Sequence, residues 1–196
     1  MIVIVNNVGT NVASLQYACE RLGKEVMLSS DPKLIKSAAY ILLPGVSTAS
    51  RAMMQLKQAR LVDTIRSLTQ PVLGICSGMQ ILFDWSEEGN VSGLGLFNEK
   101  VRKIEMSNGF YLPHMGWNNI HILNKNCALL NGVADQSDVY YVHSFAAPVN
   151  ADTVASTKHS ELFSAVVAKD NFFGTQFHPE RSGAVGSKIL ANFLAM

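Results

Sequence analysis

Residues 71–83 of the chain read Pro71-Val72-Leu73-Gly74-Ile75-Cys76-Ser77-Gly78-Met79-Gln80-Ile81-Leu82-Phe83. The apolar residues at the start predict a short buried strand, and those at the end predict a helix. The cysteine between them is flanked by glycines, which predicts a sharp turn that lifts Cys76 above the end of a sheet. There the backbone N–H of Ser77 would point at an oxyanion, and the start of the helix would favour a thiolate. Cys76 is therefore the candidate nucleophile; the alternative is a buried cysteine that ends a core strand.

The segments on either side of this turn predict the rest of the fold. Strands are predicted at 2–5, 25–28, 40–43 and 72–75, and helices at 12–22, 33–37, 52–68 and 79–85. This alternation is typical of an α/β fold with a mostly parallel central sheet and helices on both faces. Shorter β-like segments follow at 101–105, 119–123, 139–145, 154–156 and 165–168, and a helix at 187–194. We expect a single domain over residues 1–196 with a smaller β-rich portion in its second half.

A second informative segment lies near the C-terminus. Residues 171–177 predict a buried strand, and His178-Pro179-Glu180 ends it, because proline cannot continue a ladder. The side chains of His178 and Glu180 can leave the strand end on the same side. The carboxylate would then hold the imidazole in one tautomer, while the other ring nitrogen faces Cys76. Together the three residues predict a catalytic triad; alone, His178 would be a solvated loop residue.

Composition and charge argue against several other classes of function. The chain has 196 residues, 48% of them hydrophobic, which is enough for a substantial core. Its net charge of +1 gives no electrostatic reason to expect nucleic acid or an anionic membrane as a partner. The three cysteines, Cys19, Cys76 and Cys127, form no CxxC pair, which predicts a reducing, cytoplasmic location without a disulfide framework. No histidine has ligand partners at a useful spacing, so we expect neither a metal nor another cofactor.

Several stretches of the chain are similar to the signatures of a known family. Residues 74–80 and 176–182 resemble the two motifs of class I (triad) glutamine amidotransferases. Three further stretches resemble the glutaminase subunits of imidazole glycerol phosphate synthase, from histidine biosynthesis: Leu43-Pro44-Gly45-Val46, Pro113-His114-Met115-Gly116-Trp117-Asn118 and Tyr140-Tyr141-Val142-His143-Ser144. The resemblance runs along essentially the whole chain and implies the flavodoxin-like fold of that family.

The resemblance implies that the protein hydrolyses L-glutamine to glutamate and ammonia. Cys76 would attack the side-chain carboxamide, and His178 would protonate the departing ammonia, leaving a thioester that water cleaves. One oxyanion donor would be the Ser77 N–H. The second, by resemblance, would come from the peptide between Gly45 and Val46 after it rotates inward. Glycine at position 45 suits that rotation, because a positive φ costs it little.

The resemblance also implies a set of substrate-binding groups. These are the side chains of Gln80 and Glu88 and the backbone around Tyr140, His143 and Ser144. They would contact the α-amino and α-carboxylate region of glutamine. From the residues alone, Glu88 is instead a solvated charge at a helix end, and His143 a satisfied core histidine.

A second protein is expected because the chain has no Gly-rich phosphate loop for a phosphorylated ammonia acceptor. The resemblance implies a (β/α)8-barrel cyclase, bound as a heterodimer, which uses the ammonia to form imidazole glycerol phosphate and aminoimidazole carboxamide ribotide. Asn11, His114, Met115 and Trp117 are the expected contacts, since methionine and aromatic side chains are enriched in interface cores. The alternative for Trp117 is packing in the core of the chain itself.

Two positions depart from the family pattern. Ser47 follows Gly45-Val46 where the family usually has glycine, and a side chain there restricts the backbone beside the oxyanion peptide. The opening loop starts with Asn6-Asn7 where the family often has an aspartate and a Gly-rich turn. Two alternatives remain open, the first of them because of these departures. The same glutaminase chemistry could serve another acceptor enzyme, for instance in surface-polysaccharide sugar amidation, or the chain could be a catalytically silent regulatory subunit.

Overall fold

The computed structural model describes residues 1–6, 12–45, 47–107 and 109–196. Its strands are β1 (Ile2–Val5), β2 (Val26–Ser29), β3 (Tyr40–Leu43), β4 (Val72–Ile75), β5 (Phe83–Ser86), β6 (Val91–Ser92), β7 (Phe97–Lys103), β8 (His114–Asn119), β9 (His121–Ile122), β10 (Asp138–His143), β11 (Phe145–Ala146), β12 (Thr153–His159), β13 (Glu161–Lys169) and β14 (Phe172–Thr175). The helices are α1 (Ala13–Arg21), α2 (Pro32–Ser37), α3 (Ala49–Gln58), α4 (Val62–Arg66), α5 (Ser77–Gln80) and α6 (Gly183–Phe193), with 3₁₀ turns at Ala128–Leu130 and Pro179–Arg181. Among these helices, none has the length and apolar character needed to cross a membrane.

The central sheet has eight strands in the described part of the chain, in the order β2-β1-β3-β4-β14-β13-β12-β9. The strands from β2 to β14 in this order run parallel, and the remaining pairings are antiparallel. The predicted α/β fold with a mostly parallel sheet is thereby confirmed. In the β4–β14 pair, Ile75 lies opposite Thr175. The strands that lead to Cys76 and His178 therefore end side by side, which is where ligand sites form in such sheets.

The alternation of side chains along β1 shows how the sheet separates two cores. Ile2 and Ile4 join the apolar cluster that contains the buried faces of α1 and α6. Val3 and Val5 join the cluster that contains α2, α3 and α4. Because successive residues of a strand point to opposite faces, one short apolar run supports both layers of helices. Helices on both faces were predicted, and the structure has them.

Two helix predictions differ from the structure. The helix predicted over 52–68 is divided into α3 and α4. Arg60, between them, has a φ of 55°, and a right-handed α-helix cannot continue through a residue with a positive φ. The helix predicted over 79–85 is wrong beyond Gln80, because Phe83–Ser86 forms β5, paired with β6 and β7. A short apolar run fits a helix or a strand equally well, and here the pairing with β7 decides.

The second half is rich in strands, as predicted, but β9, β12, β13 and β14 join the central sheet, and the other strands form two smaller sheets, β10-β8 and β11-β7-β5-β6. The β8–β10 ribbon, which pairs His114 with His143, approaches the carboxyl edge of the central sheet. The N–H of His178 donates to the Tyr140 carbonyl at 2.9 Å, and Cys76 Sγ donates to the Val142 carbonyl at 3.8 Å. The ribbon thus forms one wall of the region around Cys76.

Candidate active site

Cys76 occupies a strained turn between β4 and α5. Its φ is 54° and its ψ is −115°, a backbone conformation that L-residues other than glycine seldom adopt. Its N–H donates to the Thr175 carbonyl at 2.8 Å, which anchors the turn to β14. A Cβ added to Gly78 would collide with the Leu43 carbonyl, and one added to Gly74 would lie 2.6 Å from the Gly78 carbonyl oxygen. The flanking glycines are therefore required by the close approach of neighbouring backbone.

His178 and Glu180 lie together beyond the end of β14. His178 Nδ1 is 2.7 Å from Glu180 Oε1, and the two side chains are 4% and 7% exposed. The Ser182 hydroxyl donates to the His178 carbonyl at 2.7 Å and accepts from the Tyr140 N–H at 3.0 Å, which fixes this turn against β10. His178 Nε2 is buried without a hydrogen-bond partner among the described residues. That nitrogen is therefore available to a group on the Cys76 side of the ring.

The charge state of His178 follows from its neighbours. Burial lowers the pKa of this imidazole, but its interaction with the nearby Cys76 sulfur and its hydrogen bond to Glu180 outweigh burial and raise the pKa from 6.5 to about 10. The ring is then a cation at neutral pH. The cationic imidazole lies beside the Cys76 sulfur, and the thiolate is the nucleophilic form of a cysteine.

Two cavities meet at Cys76. The larger, of about 330 Å³, is lined by Ser14, Ser47, Cys76, Val142, His178, Glu180 and Arg181. The smaller, of about 60 Å³, is lined by Ser47, Cys76, Ser77, Gln80, Glu88, Val142, His143, Ser144 and Phe145. The structure therefore brings the expected triad residues to one cavity and most of the expected substrate-binding residues to the adjoining one.

Gln80 and Glu88 are both partly committed to neighbouring backbone. Gln80 is 3% exposed, and its Nε2 donates to the Phe145 carbonyl at 2.7 Å and to Gln176 Oε1 at 3.0 Å. Since both amide hydrogens are used, only its carbonyl oxygen is left to accept from a ligand. Glu88 is half-buried, and its Oε2 accepts from the Ala49 N–H at 2.8 Å, at the start of α3. Burial raises its pKa, partly offset by that hydrogen bond, so the interpretation as a freely solvated charge is wrong.

The oxyanion region is only partly described. Ser77 is the first residue of α5, directly after Cys76. Gly45 lies so close to this turn that an added Cβ would collide with Gly78 N and Ser77 Oγ. The φ of Gly45 lies outside the left-handed region, so in this conformation glycine is required by the close approach and not by its backbone angle. Val46, the expected second donor, lies outside the described residues.

The remaining predicted residues are distributed over the ribbon. Tyr140 anchors the turn at His178 through its carbonyl. The centroid of its ring lies 5.9 Å from that of Trp117 and 6.0 Å from Arg181 Cζ. Met115 and Trp117 are 61% and 59% exposed, so packing of Trp117 in the core is excluded. His114 is only 4% exposed, so the expectation that its side chain contacts a partner is wrong. It points inward because residues of β8 alternate between faces. Asn11 lies outside the described residues.

Some residues beside the site were not predicted. Gln176 Nε2 donates to Cys76 Sγ at 3.9 Å, and Arg181 and Ser14 line the larger cavity. Gln176 and Arg181 belong to the 176–182 stretch that flanks His178, so proximity to the motif was the available signal. In the described part of the chain, no group of three His, Cys, Asp or Glu residues could hold a metal ion. Cys19 lies in the core, as predicted, and burial raises its pKa to about 11.

The sequence profile of the family "Glutamine amidotransferase class-I" matches residues 3–196. The chain belongs to this family. Two solved structures of glutamine amidotransferases share the fold. One covers 99% of this chain and 97% of its own length, with a TM-score of 0.74 and 13% identity. The other, from Thermotoga maritima, covers 99% of this chain and 82% of its own length, with a TM-score of 0.66 and 16% identity.

Curated relatives resemble the chain much more closely. It is 46% identical to imidazole glycerol phosphate synthase subunit HisH of Haemophilus influenzae over 193 residues, which are 98% of this chain and 96% of the relative. It is also 46% identical to the HisH subunit of Yersinia pseudotuberculosis and 47% identical to that of Shigella flexneri, each over 100% of this chain and 99% of the relative.

Proposed function

We propose that this chain is the glutaminase subunit of an imidazole glycerol phosphate synthase, acting in histidine biosynthesis in the cytoplasm. The observation that carries the proposal is the buried His178–Glu180 pair, which shares one cavity with Cys76. The match to HisH subunits over nearly the full length supports the same assignment. The free state of Cys19, Cys76 and Cys127 fits a reducing compartment.

The reaction begins with the Cys76 thiolate attacking the side-chain carbonyl carbon of glutamine. The resulting oxyanion accepts hydrogen bonds from the Ser77 N–H and, after rotation of the 45–46 peptide, from the Val46 N–H. Each such donor is worth about 100- to 1000-fold in rate. His178 gives its Nε2 proton to the leaving nitrogen, and ammonia departs. Water, deprotonated by His178, then cleaves the thioester and releases glutamate.

The smaller cavity is the proposed site for the amino-acid end of the substrate. Glu88 carries the negative charge that an α-ammonium group would pair with, and the Gln80 carbonyl oxygen is an acceptor beside it. Ser144 also lines this cavity, and its backbone is the proposed contact of the α-carboxylate. The carboxamide would then reach Cys76, which both cavities share.

The proposed partner is a (β/α)8-barrel cyclase that binds over the exposed side of β8. Met115 and Trp117 project from this strand, and Tyr111 nearby in the chain is 78% exposed. Large exposed apolar side chains of this kind are enriched in the cores of interfaces. An enclosed path to the acceptor is needed because ammonia released into water would become protonated and lose its nucleophilicity.

The test is synthesis by the reconstituted complex, supplied with either glutamine or ammonia. We expect Cys76→Ser to abolish the glutamine-dependent reaction and to leave the ammonia-dependent reaction of the cyclase intact. Cys127→Ser, at another buried free cysteine, is the matched control and should retain both reactions. Loss of both reactions in Cys76→Ser would contradict this division of labour.

Labelling separates the two alternatives. If a diazoketone analogue of glutamine modifies Cys76 but no cyclase uses the ammonia, the acceptor is a different enzyme, and affinity capture should recover a sugar-modifying partner. If the analogue fails to modify Cys76 even with a bound partner, the chain is a silent regulatory subunit.

A further inference from the structure

Two buried histidines outside the proposed triad form a direct hydrogen bond. His114 on β8 and His143 on β10 are 4% and 6% exposed, and His114 Nδ1 lies 3.0 Å from His143 Nε2. The ring of His114 also stacks on those of Tyr141 and His159, at centroid distances of 4.6 Å and 4.1 Å. Neither ring has a role in the chemistry proposed above.

The partners of the pair determine where its protons lie. His143 Nδ1 is 2.9 Å from the Phe145 carbonyl, which can only accept, so Nδ1 carries a proton. In a neutral ring Nε2 of His143 then accepts, and His114 Nδ1 must donate to it. His114 Nε2 is left as an acceptor, and the Asn118 side-chain amide donates to it at 3.2 Å. Both rings therefore have the same neutral tautomer, with the proton on Nδ1.

This chain of hydrogen bonds ends at the wall of the smaller cavity. The Phe145 carbonyl accepts from His143 Nδ1 and also from Gln80 Nε2, at 2.7 Å. Gln80 is the last residue of α5, the helix that begins directly after Cys76. One carbonyl oxygen therefore holds the ribbon and α5 together, with both of its lone pairs used.

We propose that His114 and His143 are positioning residues for glutamine, because the pair holds segment 142–145 against α5 and thereby sets the shape of the smaller cavity. The inference rests on the proposed function, since it takes glutamine as the ligand of that cavity. Val142, His143, Ser144 and Phe145 all line it. His114 does not touch the cavity and acts only through His143.

The electrostatics of the pair agree with this arrangement. Burial, followed by the nearby His143 and His159, lowers the pKa of His114 to about 3. Burial also lowers the pKa of His143 to about 4; His159 and His178 act in the same direction, and the hydrogen bond to Phe145 opposes them. Both rings are neutral at physiological pH, as the N–H···N hydrogen bond requires.

The test is the concentration dependence with which a diazoketone analogue of glutamine labels Cys76 in the assembled complex, followed by mass spectrometry. In His114→Leu the donor is lost, and the half-saturating concentration should rise about three- to tenfold, the factor carried by one hydrogen bond. The maximal labelling rate and the rate with iodoacetamide, which needs no glutamine subsite, should stay at the wild-type values. His114→Asn places an amide N–H near the position of Nδ1 and should recover most of the affinity.

Phe163→Leu is the matched packing control. Its ring contacts both histidine rings, at centroid distances of 5.8 Å and 5.0 Å, but takes no part in their hydrogen bonds. It should leave the half-saturating concentration unchanged. Wild-type affinity in His114→Leu, or an equal loss in Phe163→Leu, would overturn the positioning role and leave the glutaminase assignment standing. A wild-type complex whose Cys76 is not labelled at all would overturn both.

A measurement on the wild-type chain keeps the inference testable if His114→Leu fails to fold. Nitrogen-15 spectra of the imidazole rings should show both histidines in the neutral Nδ1–H tautomer at pH 7. Assignment of either ring to the Nε2–H tautomer would break the chain of hydrogen bonds and refute the proposal.

Discussion

His178 Nδ1 lies 2.7 Å from Glu180 Oε1, and both side chains are almost completely buried. Pro179, between them, starts a single 3₁₀ turn that brings the two side chains to one side of the chain. Because the pair is buried away from water, the Glu180 carboxylate keeps the proton on Nδ1 of His178 and stabilises the positive charge of the ring. The orientation of the proposed acid–base group is thus fixed within three consecutive residues.

Glu180→Gln should lower glutamine hydrolysis by about 10²- to 10⁴-fold, the range of general acid–base catalysis, because the imidazole loses the partner that fixes its tautomer. The pKa of His178 should also fall, since Glu180 helps to raise it. The measurement is the pH profile of hydrolysis with the partner bound. Glu25→Gln, at an exposed position, is the control and should behave as wild type. An unchanged rate in Glu180→Gln would remove Glu180 from the proposed triad.

Gly45→Ala should destabilise the chain by about 1–3 kcal/mol and abolish glutamine hydrolysis, since the new methyl group collides with the turn at Ser77 and Gly78. Denaturant unfolding and the hydrolysis assay measure the two effects. Gly23→Ala provides the comparison: Gly23 has a φ of 70° but open space around it, so strain is introduced there without a collision. Hydrolysis should survive in Gly23→Ala. Normal hydrolysis in Gly45→Ala would show that the close packing of Gly45 against Ser77 and Gly78 is not needed for activity.

The free energy of unfolding should fall as the pH is lowered from about 6.5 towards 4, because the pKa values of buried His114 and His143 are lowered to about 3 and 4. The unfolded chain binds protons in this window that the folded chain excludes. Denaturant titrations between pH 7 and pH 4.5 measure the slope. His143→Asn should flatten it, whereas His121→Gln, at an exposed histidine, should not. If His143→Asn keeps the wild-type slope, the pH dependence does not come from the lowered pKa of His143.

Above neutral pH, the free energy of unfolding should change with pH in the opposite direction. The pKa of His178 is raised to about 10, so its contribution to stability is complete below pH 6.5 and is lost as the pH rises through 10. The free energy of unfolding, measured from pH 7 to pH 10.5, should decline in wild type and should decline less in Glu180→Gln. Equal declines in the two proteins would show that the carboxylate does not support the charge.

Ser47→Gly should increase partner-dependent glutamine hydrolysis, mainly through kcat, because Ser47 lines both cavities and restricts the backbone beside the 45–46 peptide. Steady-state hydrolysis with the partner bound gives kcat and KM separately. Ser47→Ala removes the hydroxyl and keeps the Cβ, so it should remain at the wild-type rate. If Ser47→Ala hydrolyses glutamine as fast as Ser47→Gly, the hydroxyl and not the Cβ limits the wild-type rate. If Ser47→Gly is slower than wild type, the argument from backbone freedom is wrong.

The first half of the fold, and the meeting of Cys76, His178 and Glu180 at one cavity, could be predicted because their signals are local. The strands at Ile2–Val5, Tyr40–Leu43 and Val72–Ile75 have the predicted bounds, since each is an apolar run too short for a helix. The glycines around Cys76 and the proline after His178 mark the two turns in adjacent residues.

The contacts between distant segments could not be predicted. Gln80 and Phe145 are 65 residues apart, and His114 and His143 are 29 apart. Their hydrogen bonds depend on which strands of the second half pair and in what register, and a periodic pattern does not contain that information. The strand β8 was predicted only from residue 119 onwards, so His114 was expected at the interface together with Trp117. Residues at odd spacing on one strand face opposite ways, which is why His114 is buried.

One face of the strand β8 is exposed to solvent, and its other face packs towards the interior of the protein. Met115 and Trp117 face solvent, while His114 and Asn118 on its other side hold the ribbon that borders the smaller cavity. A small molecule bound against the outer side chains would shift the strand and weaken glutamine binding at the proposed site without entering either cavity. The outer face of β8 is therefore a target for allosteric inhibitors, whose binding saturating glutamine would weaken only by the coupling factor between the two sites.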